Sequence, residues 1–414
     1  MRGRLESPYA LPAVFAVLGA ALLGWAALTG YAWNDYDDEA RLSVTALLGG
    51  DVHGFLTSAP VYGGSLLLRA PFAFATKLWG AGDLAVYRAL AVPCLAAVVL
   101  LGTWVAGRMR VVSLGPLAWG AALVVIVGNP VSLRALEMGH PEELLVAVMC
   151  VFAIVLAGAK RPLLAAVVLG AAIGAKPWAF LAVPVLVLLA EGCRWRALLI
   201  TGAAAALVVA PFAIADAGKV SATAQGNAQT SVIFQPWQLF WFLGDHGDVV
   251  RGYDGVVKPG YRTPPGWLSG VAHPLILLVA PALTLAWWRR RSAVRLEDAL
   301  ALLALIFTLR AMLDPWNVIY YVIPGLFALV AWEGVVLRRA PAVSLLVSVL
   351  AWLTFWTLPA HVSPDAQSIF YVAWSIPLAA GLGLRVFAPA RFDALAARMR
   401  RPLSERPPAS ATAR

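Results

Sequence analysis

Charge is scarce in this chain. Only 13% of its 414 residues are Asp, Glu, Lys or Arg, against roughly 25% in soluble domains. Cysteine is scarcer still. Cys94 and Cys150 lie inside apolar runs and Cys193 in a short basic loop, so no even set faces one compartment and no disulfide framework is expected. They read as small buried hydrophobes. Walker-type Gly-Lys-Ser/Thr and Gly-rich dinucleotide turns are missing, which leaves no site for ATP or a cytosolic nucleotide sugar. No stretch reads as a soluble domain and no internal repeat stands out. No small-residue cleavage site follows the apolar run from Tyr9 to Tyr31, so that run, behind Arg2 and Arg4, reads as an anchor rather than a removable signal.

Apolar residues are abundant: 61% of the chain is hydrophobic and the mean hydropathy is +0.78. A bilayer solvates such a chain when the apolar residues fall in runs of about 20. Twelve runs can be marked, at 9–32, 84–106, 111–128, 144–158, 162–175, 177–190, 197–215, 271–288, 298–313, 318–336, 342–360 and 369–388. The expected fold is therefore an all-α polytopic membrane protein of about 12 transmembrane helices. It forms one integral domain over 1–388, followed by a basic, Pro- and Ala-rich cytoplasmic tail, 389–414, expected to be disordered. The pair 162–175 and 177–190, split by Lys176 and Pro177, reads either as two short helices meeting at the outer surface or as a broken element.

The net charge of +10 points to membrane orientation, not to nucleic acid, because the basic residues cluster between apolar runs. With the N-terminus inside, every inner loop carries at least two basic residues and most of the acids fall outside, the distribution that orients membrane chains. Both termini are then cytoplasmic, in a plasma membrane, and two outer loops are long: 33–83 and 216–270. The first includes an amphipathic stretch, Leu66 to Leu78, suited to lying along the surface. The second holds the polar run Gln225 to Gln229.

Four polar clusters fall on the outer side. The first is Trp33-Asn34-Asp35-Tyr36-Asp37-Asp38-Glu39, whose crowded carboxylates raise one another's proton affinity. A carboxylate there suits a general base that takes a proton from a sugar hydroxyl; the alternative is an ordinary acidic loop. The second is Asn129-Pro130 through Arg134, Glu137 and Gly139-His140-Pro141-Glu142-Glu143. His140 is suited to a phosphate or sugar oxygen, while Glu142 and Glu143 equally suit helix capping. The third is Lys176-Pro177-Trp178, a Lys that either reaches a lipid phosphate or snorkels to water. The fourth is Arg310 with Asp314-Pro315-Trp316-Asn317 and Tyr320-Tyr321. Arg310 pairs either with Asp314 or with phosphate. Gln235, Trp237 and Trp241 suit a sugar platform or an interfacial aromatic belt.

Together the Asp35–Glu39 segment, Gly139-His140-Pro141-Glu142, Lys176-Pro177-Trp178 and Asp314-Pro315-Trp316-Asn317 resemble GT-C glycosyltransferases, most of all the family 87 type, polyprenol-phosphate-mannose-dependent α-mannosyltransferases. The likeness covers roughly 9–388. It implies an inverting transferase that moves a sugar, often mannose, from a polyprenyl phosphate to a lipid or glycan acceptor at the outer face. A first-loop carboxylate would be the base: Asp35, nearest the first span, with Asp37 and Asp38 as competitors. His140, Lys176 and Arg310 would hold the donor phosphate. Glu39, Glu142, Gln235, Trp237, Asp314, Asn317 and Tyr320 would contact substrate. No cofactor is implied; acidic pairs leave a divalent ion open, but no ligand spacing indicates one. The expected partners are membrane lipid, the polyprenyl-phosphate sugar and its acceptor. The alternative from another class is a secondary transporter or lipid flippase, which would place its charges near mid-membrane and show repeats.

Overall fold

Proline and glycine set the helix limits. Pro116, Pro130, Pro162 and Pro364 each occupy the first turn of a helix, where the missing N–H has no partner to lose. Asn129 and Ser363 cap two of these helices, accepting from the N–H groups of Val131 and Ala366. The computed structural model describes residues 7–29, 34–60, 63–80, 82–218, 234–247, 249–251, 255–290 and 295–400, with 269 and 396–400 described by backbone alone.

In chain order the helices are α1 (Ala10–Thr29), α2 (Arg41–Gly49), α3 (Val52–Ser58), α4 (Gly63–Ala75), α5 (Asp83–Val111), α6 (Pro116–Val127), α7 (Pro130–Glu137), α8 (Glu142–Gly158), α9 (Pro162–Ala175), α10 (Val183–Leu189) and α11 (Arg194–Ala215). They continue as α12 (Leu268–Arg290), α13 (Leu296–Leu313), α14 (Ile323–Ala331), α15 (Ala342–Trp352), α16 (Pro364–Phe387) and α17 (Pro389–Arg400). Each of the twelve apolar runs is occupied by helix. Among the described residues eight helical stretches are long and apolar enough to cross a membrane: Ala10–Thr29, Asp83–Val111, Pro116–Glu137, Arg194–Ala215, Gly270–Arg290, Ile319–Val336, Ala342–Ala360 and Pro364–Phe387. The only β pairings among them are the isolated bridges Asp245–Thr263 and Arg251–Val257, so the chain is an all-α membrane protein.

Helix α13 and the stretch Ile319–Val336 form the centre. Of the most apolar part of Ile319–Val336, 78% is buried in the protein, against 22% for α11. The outer helices present large apolar side chains outward: Val14, Leu18, Leu22 and Trp25 on α1, Leu199, Leu207 and Ile214 on α11. Contiguous apolar surface of that extent belongs against hydrocarbon rather than water. Helices α1 and α5 run antiparallel. Arg88 donates to Leu28 O near one end of the pair, and Arg110 donates to Pro8 O at 3.0 Å near the other.

Two expectations need revising. The stretch Leu66–Leu78 is not simply laid on a surface, because α4 buries Gly64, Ser65, Leu66 and Arg69. Gly64 makes this possible: any Cβ there would overlap the Gly174 carbonyl of α9. The segment 389–400 is helical, not disordered, since Pro389 opens a run rich in Ala, Arg and Leu, all good helix formers; residues beyond 400 lie outside the described residues. At Lys176, whose backbone is extended (φ −146°, ψ 119°), one short helix ends and a second helical stretch begins. The run Gln225 to Gln229 and Trp33 lie outside the described residues.

Candidate functional site

Asp35, His140, Lys176 and Arg310 are scattered over the sequence, yet the fold brings them to the same end of the helices. The organising residue is Gly139. It ends the α7 turn with φ +90°, a left-handed conformation that favours glycine. It also backs onto the start of the acidic segment: a Cβ would stand 2.9 Å from Asn34 Oδ1 and closer still to Tyr36 N. Asn34 locks this contact, donating to Glu137 O at 3.1 Å and accepting from Tyr36 N at 3.0 Å. His140 is thereby placed beside Asp35.

A continuous chain of charged contacts follows. His140 Nε2 lies 3.0 Å from Asp35 Oδ2, and His140 Nδ1 lies 3.0 Å from Glu142 Oε1. Glu142, fully buried at the start of α8, also meets Lys176 Nζ at 3.0 Å and Arg69 Nη2 at 3.2 Å. Lys176 reaches on to Glu143 Oε1 at 3.2 Å. Three carboxylates and three basic groups thus neutralise one another in an interior where an unpaired charge would be very costly. Burial and the nearby Lys176 push the His140 pKa down, but the bonds to Asp35 and Glu142 outweigh them and raise it to about 9. At neutral pH His140 is an imidazolium that donates from both nitrogens.

The first-loop carboxylates differ in their surroundings. Asp35 is the one on His140, and its side chain is 45% exposed. Asp37 is buried, accepting from Asn34 N and pairing with Arg41 at 3.7 Å. Asp38 and Glu39 are exposed.

Arg310 sits on the other side of an aromatic wall. The Tyr320 ring lies 4.9 Å from that of His140, and Tyr321 follows at 5.5 Å. The Arg310 guanidinium stands 4.0 Å over Tyr321 and 5.2 Å from Trp178, the cation-on-ring geometry. It is 5% exposed, and its Nη1 has no hydrogen-bond partner. Asp314 instead turns to Trp316 N, 3.0 Å away.

These contacts alter several expected roles. His140 directs both ring nitrogens and Lys176 its Nζ to carboxylates, whereas Arg310 Nη1 has no hydrogen-bond partner. Glu142 is a buried counter-ion beneath the surface, not a substrate contact. Trp237 and Asn317 form a latch: Asn317 Nδ2 donates to Trp237 O at 2.7 Å and to Tyr371 Oη at 3.1 Å, and Trp237 Nε1 returns a bond to Asn317 O. Trp237 packs against Phe355, which leaves it no open face for a sugar. Gln235 N donates to Pro315 O at 3.1 Å, joining the same latch.

Sequence reasoning missed Arg69, Ser65 and the partnership of Trp178 with Arg310. A lone Arg in an apolar stretch was the available signal, since such a residue ordinarily faces a partner. Among the described residues no three His, Cys, Asp or Glu side chains are grouped to hold a metal ion. Two cavities lie elsewhere: one of about 290 Å³ between α1 and α6, lined by Phe15, Gly19, Trp119 and Val124, and one of about 20 Å³ beside Thr308, Tyr371 and Ser375. Compared with protein-family models, with curated proteins and with solved structures, the chain gives no match.

Proposed function

We propose that this protein is an inverting membrane glycosyltransferase of the GT-C kind, with about twelve crossings. It would move a sugar, mannose first among the candidates, from a polyprenyl-phosphate donor to a lipid or glycan acceptor at the outer face of the plasma membrane. The observation that carries this reading is the Asp35–His140–Glu142 chain: one half-exposed carboxylate, oriented from behind by a charged imidazole that is itself braced by a buried carboxylate.

The chemistry follows from that arrangement. His140 holds Asp35 Oδ2, and the carboxylate is half exposed. Oδ1 takes the proton of the acceptor hydroxyl as that oxygen attacks the anomeric carbon. The bond from that carbon to the donor phosphate oxygen breaks, and the phosphate departs with its charge. Arg310 is the group suited to receive it, with an unspent N–H in a low-dielectric setting where a charge-assisted bond is strong. Attack by the acceptor oxygen on the face opposite the departing phosphate gives inversion. Placement of Asp35, His140, Glu142, Glu143 and Lys176 together at helix ends rather than helix midpoints supports transfer over transport.

The test is direct. Purified protein is incubated with polyprenyl-phosphate mannose, glucose and arabinose in turn, with membrane lipid extract as acceptor, and products are identified by mass spectrometry. A new glycosylated lipid or glycan is expected with one of the donors. If none of them yields a product while the same donors fuel a control transferase, the proposal fails.

A further inference from the structure

We propose that Arg69 is a positioning residue of the transfer reaction: tethered by Ser65, it fixes the buried Glu142 carboxylate that orients the His140 ring against the Asp35 base. The inference rests on the transferase reading above and adds to it a residue that touches neither donor nor acceptor.

Arg69 is 2% exposed and lies on α4, outside the segments that carry the polar clusters. Its Nε donates to Ser65 O at 3.1 Å and its Nη2 to Ser65 Oγ at 3.0 Å, so one turn of α4 holds the guanidinium. Nη2 also meets Glu142 Oε2 at 3.2 Å. That engages one carboxylate oxygen and leaves Oε1 to His140 Nδ1 and Lys176 Nζ, both at 3.0 Å. With one oxygen pinned, the Glu142 carboxylate cannot rotate away from His140 without breaking a buried ion pair. Gly64 lets α4 approach α9 closely enough for this reach. An Arg inside an apolar helix is unfavourable unless it does something specific, and its reach to Glu142, next to the His140 brace, supplies that.

The groups facing His140 are Asp35 from the end of the first span, Glu142 from α8, Lys176 from the α9–α10 junction and the Tyr320 ring. Arg69 reaches His140 through Glu142. Replacing it with a neutral side chain leaves the cluster more negative, so the proton on His140 is held more tightly. Loosening of the carboxylate also misplaces the ring, and a misplacement on the order of 1 Å costs about 100-fold in rate.

The experiment compares full-length wild type, Arg69→Gln and Arg69→Lys in detergent. It reads donor KM and kcat from pH 6 to 10, and follows the His140 ring by nitrogen NMR with His140→Gln for assignment. Arg69→Gln is expected to lower kcat about 10- to 100-fold, with donor KM within twofold of wild type. It should also move the His140 titration upward by about one pH unit; Arg69→Lys restores both. A raised KM with unchanged kcat would make Arg69 a substrate ligand and overturn the proposal. So would an equal loss at every pH with the His140 titration unmoved. Where Arg69→Gln does not fold, Ser65→Ala carries the test: it frees the tether, and kcat has to fall with KM unchanged. A folded Ser65→Ala of wild-type kcat overturns the proposal. Should the wild type transfer no sugar at all, the transferase reading fails while the NMR titration still shows whether Arg69 governs His140.

Discussion

Glu142→Gln is the substitution whose consequence the structure fixes most tightly. The carboxylate is completely buried, and three basic groups converge on it: His140 and Lys176 at 3.0 Å and Arg69 at 3.2 Å. The amide has nearly the same shape, so packing is preserved and only charge is removed. Lys176 keeps Glu143 at 3.2 Å and His140 keeps Asp35 at 3.0 Å, but Arg69 is left with Ser65 in place of a carboxylate. Breaking a buried pair by removing one partner costs about 3–5 kcal/mol. The retained contacts place this case near the lower figure, about 3 kcal/mol, a large share of the roughly 5–15 kcal/mol that holds a folded protein together. Heat- or SDS-induced unfolding in mixed micelles measures it. The reasoning also predicts the double variant Glu142→Gln with Arg69→Met. Once both charges are gone no uncompensated ion remains, and stability returns to within about 1 kcal/mol of wild type, because buried pairs replaced together are often neutral. A single variant as stable as wild type would refute the argument, as would a double variant no more stable than the single.

Four further outcomes are expected. Among Asp35→Asn, Asp37→Asn and Asp38→Asn, sugar transfer in membranes falls at least about 100-fold for Asp35→Asn and stays near wild type for Asp38→Asn, while Asp37→Asn loses stability before rate; a fully active Asp35→Asn moves the base elsewhere. Arg310→Lys keeps the charge but loses the planar fork stacked on Tyr321, so donor KM rises about tenfold or more with acceptor KM unchanged; equal KM values for wild type and variant would remove Arg310 from the phosphate. His140, raised from 6.5 to about 9, contributes fully below about pH 6.5 and loses that contribution as pH climbs through about 9, so both stability and transfer hold through neutrality and decline near 9; a decline centred below 7 contradicts an imidazolium. Gly139→Ala forces a side chain into φ +90° against Tyr36 N, and is expected to cost about 2 kcal/mol or more and to separate His140 from Asp35, visible as loss of the high His140 titration.

The helices were legible because a hydrocarbon solvent demands apolar runs of about 20 residues, and the twelve runs each fold as helix. The gathering of the polar clusters at one end was legible for a related reason: ionisable groups are excluded from the middle of such runs, which leaves only their ends. What the sequence could not reveal is pairing. Asp35 and His140 are 105 residues apart, and only nearness to the first span favoured Asp35 over Asp37 until Gly139 is seen pressed against Asn34 and Tyr36. The same blindness assigned His140 and Lys176 to phosphate: each has donors, but whether carboxylates already take those donors is a property of the fold. Trp237 looked like part of a sugar platform because aromatic faces suit sugar rings, and the resemblance made Asn317 a substrate contact. Both suit a latch between the segment 234–241 and the turn 314–317 equally well.

Helix length explains why so many charges sit together out of water. At 1.5 Å per residue, the 17 residues of α8 and the 14 of α9 span roughly 26 and 21 Å. A bilayer core is about 30 Å thick. Both helices are shorter than that core is thick, and Glu142, Glu143 and Lys176 stand buried where they begin or end. Charges held there must be matched one for one, which is what the contacts among Asp35, His140, Glu142, Glu143, Lys176 and Arg69 achieve. On the transferase reading proposed above, a lipid-borne phosphate would stay at the interface while its chain remained in hydrocarbon, and the half-exposed Asp35 carboxylate beside that charge-balanced cluster would meet it there.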